Sequence, residues 1–205
     1  MRKPDTQGTS GGNRGEQGVD AGRRSKLIEA AYELFFELGY ENVGMRLICE
    51  RAGLEPIQAY RLGLSKIDLL AEVSMLLSEQ QLQALQVHSV PGPNESVFDF
   101  CQRYLTHLYA SDIAHLTIRR ETAAFGWKWS NRYETLVTAQ VIRLLQPIAK
   151  HLEQNHYTEI SARCLSMWSL YYVGFRAAVT TGADATTCFQ HIHRSLQLVL
   201  PATAP

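Results

Sequence analysis

Side chains able to do catalytic or metal chemistry are thinly spread in this sequence. Glu153-x-x-His156 has the spacing by which helical di-iron proteins present ligands. That chemistry needs a second such pair and further carboxylates from facing helices, and no second copy occurs. His191 and His193 stand two apart, on opposing sides of a helix, which argues against a shared metal and for a surface or rim position. Cys49, Cys101, Cys164 and Cys188 show neither C-x-x-C pairing nor clustering. Cys101 and Cys164 fall in line with Tyr104 and Trp168 on apolar faces, as small buried hydrophobes do. There is no Gly-rich phosphate loop and no nucleophile elbow. The expectation is a protein with no catalytic residues, no cofactor and no metal.

A different kind of chemistry is suggested by "AAFGWKWSNRYE", where Phe125, Trp127, Trp129 and Tyr133 crowd around Gly126. Trp127 and Trp129 cannot share one helical face, so they straddle a helix or sit at a break in one. Aromatic side chains of this size line small-molecule pockets and are equally ordinary core residues. Tyr104, Trp168 and Tyr172 are similar candidates on neighbouring segments. Arg120 falls on the stripe of Leu116 and Trp127, where a buried charge needs a partner, either an acidic ligand or an internal carboxylate.

The elements that must position these residues are helical. Residues 1–22 hold six glycines and almost nothing apolar, so they read as a disordered tail whose Arg2, Lys3 and Arg14 are offset by acids. From Arg23, the recurrence of Leu27, Ala31, Leu34, Phe35 and Leu38 predicts an amphipathic helix stopped by Gly39. A short helix from Met45 to Ala52, a turn at Gly53, a second short helix opened by Pro56 and ended by Gly63, and a long helix capped by Ser65 follow. "VHSVPGPNES" breaks the pattern and places a module boundary near residue 87. Helical period then persists to Val199 and no two-residue alternation is sustained, so the fold class is all-α, with about nine helices.

Composition narrows the setting. With 20 Lys+Arg against 20 Asp+Glu the whole chain has no electrostatic claim on nucleic acid. Residues 23–73 carry seven Lys/Arg and eight Asp/Glu. The most apolar stretch, "CLSMWSLYYVGFRAAVTTG", contains Arg176 and is too polar for a membrane span. A reduced, cytoplasmic protein with no membrane partner is expected.

Helix, short helix, glycine turn, short helix and long helix is the order of a helix-turn-helix module whose second short helix enters the major groove. "LIEAAYELFFELGYENV", "ICERAGL", "AYRL" and "SKIDLLAEV" resemble the N-terminal region of TetR/AcrR-type transcriptional regulators over residues 23–73. The resemblance implies that Tyr60 and Lys66 contact phosphates, and that Ile57 and Gln58, with Arg61 at the edge, face bases of an operator duplex. Gln pairs bidentately with adenine and an apolar side chain packs on a thymine methyl. Pro56 would open this reading helix, and Val43, Gly44 and Glu55 stand where the family usually has a serine or threonine. Gly44 caps weakly, Glu55 would repel a phosphate, and part of the usual aromatic clamp is missing at Leu62 and Gly63.

The remainder, 87–205, corresponds to the family's divergent ligand-binding and dimerisation half. The resemblance thus implies a homodimeric repressor released by a small-molecule effector. Its ligand site would draw on Tyr104, Arg120, Phe125, Trp127, Trp129, Trp168 and Tyr172. Its dimer interface would draw on Tyr171, Phe175, Phe189, Ile192, Leu196 and Val199. The alternative is a dimer of the same fold whose DNA reader has decayed, leaving a ligand-binding or protein-interaction protein.

Overall fold

A computed structural model describes residues 12–129 and 131–201, apart from the side chains of residues 12–16, 127, 131 and 132. The described residues form nine α-helices and no strand. The chain divides between Val73 and Ser74 into two compact units.

The first unit contains α1 (Gly12–Leu38), α2 (Met45–Arg51), α3 (Pro56–Arg61) and the start of α4 (Lys66–Leu85). Its core is the inward stripe of α1, Leu27, Ala31, Leu34 and Phe35, closed by Val43, Ile48, Cys49, Ala59 and Leu69, all buried. Leu38, expected on the inward stripe, is 46% exposed, because it lies past the edge of a stripe already filled by its neighbours. Helix α1 also corrects the expected tail: residues 12–22 are helical, and residues 1–11 lie outside the described residues. Once the amphipathic part of α1 is anchored, each further turn is added without a new nucleus, and Asp20 pairs with Arg23 at 3.1 Å.

The second unit contains the rest of α4, then α5 (Val97–Ala114), α6 (Leu116–Phe125), α7 (Asn131–Gln154), α8 (Ile160–Thr181) and α9 (Ala185–Val199). The break at "VHSVPGPNES" is therefore the α4–α5 connection inside this unit, not its edge. Arg103 clamps that connection, donating to Glu95 at 2.8 Å through both Nε and Nη2 and to the carbonyls of His88 and Val90. Those bonds from Arg103 pull the Glu95 carboxyl down to about 2. Helix α5 runs through the core: the Tyr104 hydroxyl donates to the Leu144 carbonyl at 2.8 Å and the Tyr109 hydroxyl to the Tyr171 carbonyl at 3.0 Å.

The closeness of α5, α8 and α9 depends on one glycine. A Cβ built on Gly174 would lie 2.2 Å from the Tyr109 hydroxyl and 2.6 Å from the Cys188 carbonyl oxygen, and the latter is backbone that cannot swing aside. Cys188 is fully buried beside this approach and Cys101 is fully buried elsewhere along α5, and burial raises both thiols. We predict that Gly174→Ala destabilises the protein by about 1–3 kcal/mol, the usual cost of overpacking, against a small gain from helix propensity. Urea denaturation followed by circular dichroism measures it; unchanged or increased stability would show that α8 can stand off from its neighbours.

Candidate functional site

In the first unit the sequence builds a short helix with one face anchored and one face bare. Gly53 (φ +64°) and Gly63 (φ +64°) take the left-handed conformation on either side of α3, so the chain can turn sharply at both ends. Pro56 opens the helix where its missing N–H costs nothing. Ala59 (2% exposed) and Leu64 seat it on the core, and helical periodicity then turns Ile57 (54% exposed), Tyr60 (80% exposed) and Arg61 outward. Lys66, first residue of α4, holds its Nζ 4.0 Å from the centroid of the Tyr40 ring, a cation–π contact that limits where the ammonium can go. The Ser65 N–H donates to Asp68 Oδ2 at 2.9 Å and closes a capping box over the same helix start.

Three of the expected reader residues also stand at helix starts. The Glu55 backbone N–H donates to Gln58 Oε1 at 2.9 Å, which fixes the amide orientation and leaves Nε2 as the group that points away. Bidentate pairing with adenine would require Gln58 to release that cap. Glu55 serves as N-cap of α3 with its side chain exposed, and Gly44 is the N-cap of α2 without any side-chain bond. Part of the unit's charge is paired: Arg24 bonds Glu72, and Arg51 bonds Glu33 at 3.0 Å and Glu37 at 3.1 Å. Arg61, on α3 itself, makes no ion pair with any described residue and is exposed.

In the second unit a cavity of about 680 Å³ opens among α4, α5, α6, α7 and α8. Helix α7 turns Glu134, Val137, Thr138, Val141 and Leu144 toward it at three- and four-residue steps. Helix α8 contributes Trp168, Tyr171, Tyr172 and Phe175. Along α8 the Trp168 and Tyr171 rings lie 5.3 Å apart at 3°, and the Tyr171 and Phe175 rings 6.3 Å apart at 5°, a row of parallel slabs. Trp129 completes the wall just after a 3-10 turn at Gly126–Lys128, so the two tryptophans do fall at a helix break. The Trp127 side chain lies outside the described residues.

One end of the cavity is polar and largely buried. Arg119 is 9% exposed, its Nε 3.0 Å from Asp112 Oδ1 as an ion pair that lacks hydrogen-bond alignment. Its Nη1 donates to Ser78 Oγ at 3.1 Å and to Ser74 at 3.4 Å, and its Nη2 to Gln81 Oε1 at 3.4 Å. Gln81 Nε2 and the Tyr171 hydroxyl each donate to Asp112 at 2.7 Å, one to each carboxylate oxygen. Burial first, then the Asp112 charge, pushes the Tyr171 hydroxyl well above its ordinary pKa and keeps it a donor. Burial, followed by the Arg119 charge, lowers the pKa of His115 in the α5–α6 connection.

The expected ligand residues therefore separate. Trp129, Trp168 and Tyr172 line the cavity. Tyr104 is in the core, bonded to Leu144, and Phe125 lies outside the lining with Lys128 over its ring. Arg120 is exposed and bonds Glu121; the buried arginine is its neighbour Arg119. The reason is a helix break at His115: α6 restarts at Leu116, and its inward face is Ile118, Arg119 and Thr122. The signal in the sequence was Ser74, Ser78 and Gln81, polar residues on the inward stripe of α4 with Leu77 and Leu85. The expected dimer residues are also displaced. Tyr171, Phe175, Phe189, Ile192 and Leu196 are at most 4% exposed within a single chain, and Val199 packs on the same core. An apolar stripe has the same period whether it meets its own chain or a second copy, and here α5, α8 and α9 consume it themselves.

Residues 27–73 match the profile of the family described as "Bacterial regulatory proteins, tetR family". Nothing among curated proteins matches the chain. Among solved structures, a putative TetR-family transcriptional regulator from Mesorhizobium loti is 18% identical with a TM-score of 0.62, the alignment covering 88% of this chain and 96% of that one. A putative transcriptional regulator from Rhodococcus sp. RHA1 is 20% identical with a TM-score of 0.63, covering 85% and 94%. A third, from Streptomyces coelicolor, is 16% identical with a TM-score of 0.60, covering 87% and 98%. Residues 27–73 thus match the tetR-family profile, and the chain has the fold of these solved proteins.

Proposed function

We propose that this protein is a DNA-binding transcriptional regulator, acting as a homodimeric repressor that a small molecule releases from its operator. The observation that carries the proposal is the bare face of α3: Ile57, Tyr60 and Arg61 exposed together on a helix seated by Ala59, inside the segment that matches the family. A large aromatic and an isoleucine held in water on a six-residue helix serve no packing purpose. Ile57 would meet a thymine methyl, Gln58 would donate through Nε2 to a base acceptor, and Tyr60 and Lys66 would hold phosphates. The exposed carboxylate of Glu55 suits the amino group of cytosine better than a phosphate, which gives it a place in a reader.

The decayed-reader alternative rests on Glu55 and on the near-zero charge of the unit. Against the second point stands Arg61 on α3, which makes no ion pair with any described residue, whereas Arg24 and Arg51 are paired with Glu72, Glu33 and Glu37. DNA titrations over a range of salt concentrations separate the two. Lys66→Ala should weaken binding to all sequences alike and reduce the slope of log K against log salt by about one unit for each phosphate left without its lysine. Ile57→Ala should leave that slope unchanged and relax preference at one base pair, at a cost of about 1–3 kcal/mol. Absence of salt-sensitive binding to any duplex at low ionic strength would sink the regulator proposal.

For the dimer, the residues that the chain leaves bare replace those expected from the sequence. On α8, Leu165 (67% exposed), Val173 (58% exposed) and Val179 (41% exposed) follow one another along the outward side with Ser169 and Arg176. A second copy meeting this face by two-fold symmetry would cover it. Val173→Asp should give a monomer of unchanged helicity in sedimentation equilibrium, whereas Ile192→Asp, in the core, should unfold the chain. A native protein that is monomeric at micromolar concentration contradicts the homodimer.

A further inference from the structure

Resting on the cavity of the second unit as the effector site proposed above, we infer that its ligand is an uncharged, flat aromatic compound carrying one neutral acceptor oxygen, such as a ketone or amide carbonyl, that faces Arg119. Charge at the polar end decides the first half. Arg119 already has Asp112 at 3.0 Å, so a ligand carboxylate would place a second anion on one guanidinium, with Glu134 adding another carboxylate to the lining. A ligand cation fares no better. At the polar end Asp112 already balances Arg119 and accepts from Gln81 and Tyr171, and Arg119 would repel the newcomer, so Glu134 alone in the lining would attract it, against an equal opposing charge on Arg119.

Hydrogen-bond capacity decides the second half. The bonds that Asp112 accepts are 2.7 Å, but Arg119 reaches Ser74 and Gln81 only at 3.4 Å, near the limit of a useful bond. A guanidinium has five N–H groups, and a neutral oxygen can take the poorly used ones without disturbing the charge balance. Shape follows from the walls. Trp129, Trp168, Tyr171, Tyr172 and Phe175 make much of the lining aromatic, which suits an aromatic guest, and a volume of about 680 Å³ suits a compound of drug-like size.

Calorimetric titration of the full-length protein with four naphthalenes of matched shape tests the inference: acetylnaphthalene, isopropylnaphthalene, naphthoate and naphthyltrimethylammonium. Acetylnaphthalene should bind most tightly, and isopropylnaphthalene about ten- to a hundredfold more weakly for want of the acceptor. The two charged compounds should bind more weakly than either. Arg119→Lys, which keeps the charge and loses the fork, should narrow the gap between the two neutral compounds, and Trp168→Ala should weaken both alike. Equal binding of the neutral pair, a preference for either charged compound, or no binding by any of the four overturns the inference. Titrating the same preparations with DNA separates it from the regulator proposal, because DNA binding without these ligand preferences sinks the ligand class alone.

Discussion

An arginine carried into a protein interior must be neutralised there, and in the second unit that requirement ties several helices together. Arg119 on α6 is met by Asp112 on α5, while Ser74, Ser78 and Gln81 on α4 and Tyr171 on α8 supply the remaining bonds. Withdrawing any one helix would leave a buried charge or a buried donor unsatisfied, which costs more than the bond itself contributes. The cavity exists beside this group of side chains because its members are held by one another and leave the space next to them unfilled. A core of leucines at the same positions could collapse, and a charged network with fixed geometry cannot.

Helix α8 translates that arrangement into two surfaces. Its inner side carries the ring row of Trp168, Tyr171 and Phe175 to the cavity, with Gly174 allowing the Tyr109 hydroxyl and the Cys188 carbonyl to approach. Its outer side carries Leu165, Val173 and Val179 into solvent. A compound pressing on the inner side is thus one helix diameter from the face proposed for the second copy. Ligand control requires that the bound state change these contacts differentially, since a ligand indifferent to two arrangements shifts neither.

The fold was legible because helical period is a repeated signal. Leu27, Ala31, Leu34 and Phe35 declare α1, and Gly39 (φ +79°), Gly53 and Gly63 mark turns that only a residue free to take positive φ makes easily. The reading helix was legible because Pro56 and the flanking glycines bound it. What periodicity could not give was phase across a break and the identity of a partner. A single irregular residue, His115, resets the helix and moves the buried charge from Arg120 to Arg119. Ile192 and Leu196 form a true apolar stripe, but only the packed chain reveals that α5 and α8 cover it. Gln58 was legible as a surface residue of α3, whereas its bond to the Glu55 N–H depends on a rotamer.

The claim that the Arg119–Asp112 pair organises the second unit is tested most directly by a double-mutant cycle in urea denaturation. Asp112→Asn and Arg119→Met should each cost about 3–5 kcal/mol, because each leaves its buried partner uncompensated. The double variant should cost far less than the two together, with a coupling of about 2 kcal/mol or more. Small, additive losses from the two substitutions would mean that the charges are solvated where they stand, and that the helices around the cavity are held by their apolar contacts alone.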